Sequence, residues 1–175
     1  MPTPIGHSLA GIAAGWAVAR PAAPGRRLFV QTGLLALLGS APDLDLLIGH
    51  HSAQAHSLGA AAIVATIAAG IGWPLANGRA RIWWAAFAAW ATHPLLDALA
   101  VDTAPPIGVM AFWPFSSAYV QTGLSAFAPI SRAYRAPGFL EHTFLAVARE
   151  VVIVGLVVFA VWRLRGQARP LPSAR

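Results

Sequence analysis

The sequence predicts an all-α membrane protein, a polytopic bundle of about five apolar helices. Three observations predict it. The 175 residues are 57% hydrophobic and only 10% charged, where a water-soluble domain has roughly 25% charged residues. The apolar residues fall in long blocks, and those blocks are separated by short stretches of proline, glycine and arginine. So few charges would not cover the surface of a soluble fold of this size, and lipid is the expected solvent. Cysteine is absent, which excludes disulfides and thiolate-bound zinc and leaves redox compartment unreadable.

The elements follow in order. The first apolar segment covers residues 5–19 and ends at Arg20, before the breaker Pro21-Ala22-Ala23-Pro24-Gly25. No basic stretch precedes it and no small-residue cleavage site follows it, so the N-terminus is expected to be retained. The second covers residues 28–41 and stops at Pro42-Asp43-Leu44-Asp45, and the third covers residues 56–76 and closes at Asn77-Gly78. The fourth covers residues 82–100 and the fifth residues 139–162, ending at Arg163-Leu164-Arg165. A spanning helix needs roughly 17 to 25 residues. The last three segments meet that, while the first two are short and are expected to end at headgroup depth.

Between the fourth and fifth segments lies a long connection, residues 101–138. It holds five prolines and aromatics that include Phe112, Trp113, Phe115, Tyr119, Phe127 and Tyr134. The prolines argue against a further span, and the aromatics suit a membrane interface. Residues 1–165 therefore read as one membrane-embedded helical domain, followed by a polar tail at 166–175.

Threading five spans in alternation sorts the charged residues. One side receives Arg20, Arg26, Arg27, Arg79, Arg81, Arg163, Arg165, Arg169 and Arg175, nine of the twelve arginines. The positive-inside rule makes that side cytoplasmic. The other side receives all six histidines and five of the six acids: His7, Asp43, Asp45, His50, His51, His56, His93, Asp97, Asp102, Glu141 and His142. Glu150, the sixth acid, falls within the fifth segment. The expected location is a multi-pass inner (cytoplasmic) membrane protein whose polar cluster faces away from the cytoplasm. The net charge of +6 is carried by arginines beside spans with no stacking platform, which argues against nucleic acid as a partner.

Singly, these residues have plain readings. A lone histidine near a terminus is about twice as often structural as a ligand, Asp43 after Pro42 can end a helix, and Arg149 can snorkel. Their convergence shifts the balance. His93 and Asp97 in His93-Pro94-Leu95-Leu96-Asp97 are four apart and share one helix face. Asp43, Asp45, His51 and His56 flank the short connection between the second and third segments, so a bundle with short loops brings them near that face. Acids at membrane depth are costly unless paired or put to use. A divalent cation meets that need. Imidazole and carboxylate donors suit zinc, manganese or iron, with zinc the default, as one ion or two. The expected ligands are His7, Asp43, His51, His56, His93 and Asp97. A cation lowers the pKa of its water to about 7, and Asp45 or Glu150 is expected to act as base or to orient a ligand histidine. Arg132, Arg135 and Trp113 are the expected substrate contacts, while roles for His50, Asp102, Glu141 and His142 stay open. A hydrogen-bonded polar plug that only fixes helix packing has no need of so many histidines.

The motifs Gly6-His7, Pro42-Asp43-Leu44-Asp45, His51 to Ser57, His93-Pro94-Leu95-Leu96-Asp97 and Gly108 with Phe112-Trp113-Pro114-Phe115-Ser116 occur in that order. The chain thereby resembles the YdjM-type family of membrane-bound metal-dependent hydrolases, also described as LexA-binding inner-membrane proteins. Two positions depart from its His-Arg-Gly-x-Thr-His-Ser stretch: Ser52 replaces the arginine and Ala55 the threonine. The order of histidines and aspartates is also similar, more loosely, to zinc-dependent phospholipase C and P1-type nucleases. Together these resemblances imply a metal-dependent hydrolase acting on a phosphoester, small or lipid-linked, with membrane lipid as its surroundings. Two other classes compete. An ion or proton pathway would place polar residues in the middles of several spans, and segments three and four are almost purely apolar there. A non-enzymatic scaffold or regulator is implied only by the LexA-binding description.

Overall fold

The computed structural model describes residues 1–48, 52–102, 105–129 and 135–166. Among these the chain is all-helical, with two isolated bridges and no strand. Five α-helices follow one another: α1 (Pro4–Ala19), α2 (Arg26–Ser40), α3 (Leu58–Ile71), α4 (Arg79–Ala98) and α5 (Phe139–Gly166). Two 3-10 segments, Ala41–Ile48 and Gln54–His56, lie between α2 and α3.

The helix count agrees with the five apolar blocks, but their lengths differ from expectation. The sequence predicts span-length helices over residues 56–76, 82–100 and 139–162. Among the described residues only α5, 28 residues long, is both long and apolar enough to cross a membrane. α3 is shorter than its apolar block because Ser57 caps its start, where the side chain accepts from Ala60 N–H at 3.0 Å, and Gly72 ends it at φ 70°. That left-handed conformation is cheap only for glycine. α4 has the length, at 20 residues, but Arg79 and Arg81 occupy its first turn and His93 and Asp97 its last two.

α1 is the central helix and packs against α2, α4 and α5, while α3 packs on α4. The core is small-residue packing around a few large side chains. Ala65, Ala68, Ala85, Ala86 and Ala89 line the α3–α4 contact, and Trp16, Leu35, Leu38, Leu75 and Ile82 fill around them. Where α1 crosses α2, two glycines replace side chains altogether. A Cβ on Gly11 would lie 2.5 Å from the Leu35 carbonyl oxygen, and one on Gly39 would lie 2.3 Å from that of His7. Close approach of this kind is how small residues join helices in lipid.

The two ends of the bundle differ. At one, the buried Gln31 amide accepts from Ala22 N–H at 2.8 Å and donates to the carbonyls of Arg20 (2.9 Å) and Leu75 (2.6 Å). This ties the α1–α2 turn to the segment after α3. The end of α5 reaches the same place, since a Cβ on Gly166 would sit 3.9 Å from Pro21 Cγ. The arginines at 20, 26, 27, 79, 81, 163 and 165 thus share one end of the bundle. At the other end the described part of the 101–138 connection is laid across the helix termini. Met110 N–H donates to Ser52, Leu58 N–H to Ala111, Gly59 N–H to Trp113, and Thr122 N–H to Ala98. Phe112, Phe115 and Tyr119 are exposed, as an interfacial string would be, but Phe127 turns inward to pack with Ala10, Leu96, Ala100 and Val154. Large apolar side chains also cover the outside of the helices, among them Phe29, Ile63, Ile67, Trp84, Val152 and Phe159. Exposed apolar surface on this scale is expected where lipid is the solvent.

Candidate metal centre

Alternating helix directions bring the start of α1, the end of α2, the start of α3 and the end of α4 to one end of the bundle, and each brings a polar side chain. α1 starts at Pro4 behind the cap Thr3, whose hydroxyl accepts from Gly6 N–H. Proline suits this first position because its missing N–H would be unpaired there anyway. His7 follows in the first full turn, and its own N–H donates to the Thr3 carbonyl at 3.1 Å. α2 passes directly into the 3-10 segment that carries Asp43 and Asp45. His56 ends the second 3-10 segment, where Ser57 donates to the Gln54 carbonyl at 2.6 Å while capping α3. The indole of Trp90, one turn before His93, donates to the Ala55 carbonyl at 2.9 Å and fixes α4 against that turn.

Four donor atoms then converge. His93 Nε2 lies 3.4 Å from Asp43 Oδ1 and 3.3 Å from Asp97 Oδ2, and His56 Nε2 lies 3.7 Å and 3.6 Å from the same two oxygens. Neighbouring ligand atoms of a tetrahedral zinc site, with bonds of about 2.0–2.1 Å, are about 3.3–3.4 Å apart. The four contacts are close to that edge length. His7 stacks on His93 at a centroid separation of 3.7 Å, and its Nε2 reaches the other Asp97 oxygen at 3.3 Å. His7, Asp43 and His93 form a second triplet of ligand-sized spacing beside His56, His93 and Asp97.

The rings are oriented from behind. His93 Nδ1 is 2.7 Å from the Gly39 carbonyl oxygen, which accepts only if that nitrogen carries the proton. His56 Nδ1 is 3.0 Å from Asp45 Oδ2. In both rings the outer partner turns Nε2, with its lone pair, into the cluster. This is the arrangement of metal-bound histidines. Burial works to raise the pKa of Asp43, but the imidazoles of His56 and His93 beside it hold its carboxyl well below the usual carboxylate range. Burial likewise works to lower that of His56, and Asp43 and Asp45 overcome it and raise the imidazole above its ordinary value. Both nitrogens of His7, Nε2 of His93 and both oxygens of Asp97 are buried and make no hydrogen bond among the described residues. Buried polar atoms left so are costly, and a cation satisfies them. On donor type, spacing and ring orientation, the residues fit a divalent metal.

The structure thus brings together His7, Asp43, His56, His93 and Asp97, with Asp45 behind His56. His51 and Arg132 lie outside the described residues, as does His50. Glu150 is fully buried on α5, and its carboxylate accepts from Thr3 rather than joining the cluster. Arg135 is exposed just ahead of α5, and Trp113 is half-buried with its carbonyl bound to Gly59 N–H. Asp102 accepts from Gly108 N–H at 3.0 Å, Glu141 is exposed, and His142 faces the Pro129 carbonyl at 2.7 Å. Sequence reasoning missed the Gly39 carbonyl, the Trp90 indole and the Thr3 cap. Of these only Trp90 carried a signal, since it sits three residues before His93 on the same helix face.

A family model described as YdjM inner membrane protein matches residues 1–168. The same comparison with curated proteins and with solved structures finds no match.

Proposed function

The chain belongs to the YdjM inner membrane protein family, and from that premise we propose that it is a membrane-bound, metal-dependent hydrolase of phosphoesters. In this reading it is multi-pass, with its centre at the face away from the cytoplasm. The observation that carries the proposal is the ring of His56, His93, Asp43 and Asp97, whose two histidines present Nε2 inward because Asp45 and Gly39 hold the opposite nitrogens.

A zinc, manganese or iron ion bound there would supply Lewis acidity and, at a coordination position not filled by protein donors, a water of lowered pKa. The protein's residues supply the rest. His56, His93, Asp43 and Asp97 would hold the ion. Asp45 would keep the His56 ring in the tautomer that can bind the ion. Asp43 is the most exposed of the four, with 19% of its side chain accessible, so substrate approaches from the Asp43 side. His7, stacked on His93 and touching the second Asp97 oxygen, either completes the coordination of one ion or begins the site of a second. Burial excludes bulk water from His56, His93 and Asp97, which strengthens electrostatic interactions between them and a charged phosphoester.

The test is elemental analysis of the protein purified in detergent, followed by a panel of water-soluble and lipid-linked phosphoesters with and without chelator. Stoichiometric metal and chelator-sensitive hydrolysis are expected. His56→Ala, His93→Ala and Asp97→Ala should each abolish metal content. Full metal occupancy in all three variants would end the proposal.

A further inference from the structure

α5 contributes no donor to the histidine–aspartate cluster among the described residues, yet it carries one fully buried acid, Glu150, between Ala146 and Val154 in the most apolar helix of the protein. An acid at such a place is costly unless it is used. Both Glu150 oxygens accept from the Thr3 N–H at 3.0 Å, and the Thr3 hydroxyl donates to Oε2 at 2.5 Å. The contact depends on Gly6, because a Cβ there would lie 2.8 Å from Oε2. Thr3 is also the cap of α1, and its carbonyl accepts from the backbone N–H of His7. A continuous set of hydrogen bonds therefore runs from Glu150 through Thr3 to the turn that carries His7. Among the described residues the His7 ring makes no hydrogen bond; it stacks on His93 and approaches Asp97. Its placement depends on where α1 begins.

We propose that Glu150 is a positioning residue of the metal centre, which fixes the start of α1 through Thr3 so that His7 is held against His93 and Asp97. The inference rests on the metal reading above. It gives Glu150 no contact with substrate or with the reacting atoms.

The test uses full-length protein in detergent loaded with cobalt(II), read by its visible absorption spectrum and by competition with a chelator. Glu150→Ala is expected to weaken cobalt binding by about 10–100-fold, the range for residues that orient ligands from behind, and to change the spectrum. Thr3→Val should do the same, and Glu150→Gln should recover most of the affinity because its amide oxygen still accepts from Thr3. In a His7→Ala background, Glu150→Ala should add nothing. Gln31→Ala is the control for a merely structural role: it removes a buried polar tie at the other end and should lower the melting temperature without altering the spectrum. Should Glu150→Ala fail to fold, Thr3→Val decides the matter. Wild-type affinity and spectrum in folded Thr3→Val or Glu150→Ala would overturn this inference alone, as would an undiminished Glu150→Ala effect in the His7→Ala background. A wild-type protein that binds no cobalt would overturn both this inference and the metal reading.

Discussion

Asp45 stands behind His56, and its effect there can be separated from ligation. Removing it with Asp45→Ala leaves every proposed ligand in place and takes away the partner of His56 Nδ1. Metal affinity should fall by about 10–100-fold while saturation still gives full stoichiometry. Titration against a zinc indicator measures this, and unchanged affinity would mean that some other group orients the ring. His56 also sets a pH dependence. Asp43 and Asp45 outweigh burial and raise its pKa above 6.5, so the metal-free ring holds its proton more firmly than in the unfolded chain. That proton contributes stability fully below the unfolded value of 6.5, and the contribution is lost as pH rises through the higher folded value. A cation competes with the same proton, so metal affinity should climb with pH over this window. The metal-induced rise in melting temperature should accordingly grow as pH rises above 6.5, and a flat profile would remove His56 from the ligand set. At this scale the sequence was informative about side chains and silent about backbone. Asp43, His56, His93 and Asp97 could be grouped because their residue types and their positions at segment ends coincide. The Gly39 carbonyl could not, since any residue has one and only the α1–α2 crossing aims it. Glu150 could be recognised as an unusual acid in an apolar helix, but nothing local says that it meets Thr3, 147 residues away.

The helices matter to the centre through how closely they approach. Gly39 serves twice: its missing Cβ lets α2 reach the His7 carbonyl, and its own carbonyl orients His93. Gly39→Ala puts a methyl group against backbone, which cannot give way as a side-chain end can. The expected destabilisation is about 1–3 kcal/mol or more, read as a lower melting temperature in detergent, with metal affinity reduced alongside it. Trp90→Phe is the milder companion. It keeps the packing of α4 and deletes the bond to the Ala55 carbonyl, so a loss of about 0.5–1.5 kcal/mol is expected. If Gly39→Ala lowered stability but left metal affinity untouched, the helix approach would be structural only. α1, α2, α4 and α5 lie close to the apolar segments at 5–19, 28–41, 82–100 and 139–162, but the arginines at 26, 27, 79, 81, 163 and 165 fall inside the helices and not beyond their ends. α3 is shorter than its apolar block because Ser57 and Gly72 lie inside that block and act as caps only in the backbone conformations they adopt. Apolar periodicity cannot separate a helix from the capping residues at its edges.

At the scale of the whole molecule, the separation of basic and metal-ligating residues to opposite ends followed from counting segments, and the fold preserves it because successive helices run in alternate directions. What counting could not supply is depth. α5, at 28 residues, is about 42 Å long and exceeds a hydrocarbon core of about 30 Å, whereas α1 to α3, at 14–16 residues, are about 21–24 Å. For the shorter helices to cross, apolar surface must continue beyond their ends. At the metal end it does: Leu44, Leu46 and Leu47 of the 3-10 segment and Phe112, Phe115 and Leu124 of the connection are exposed there. At the other end Arg20, Arg26, Arg27, Arg79 and Arg81 flank the helix termini, so that end should lie at the headgroups, on the cytoplasmic side by the positive-inside rule. The absence of native cysteine makes this directly measurable. Single cysteines placed at the exposed positions Ala23 and Asn77 report the arginine end, and one at Ser117 reports the metal end. With a membrane-impermeant maleimide applied outside the inner membrane, Ser117→Cys should label, and Ala23→Cys and Asn77→Cys should label only after the membrane is permeabilised. The opposite pattern would turn the metal centre toward the cytoplasm. Equal labelling of all three from one side would mean that α5 alone crosses, with the other four helices lying on a single face of the bilayer.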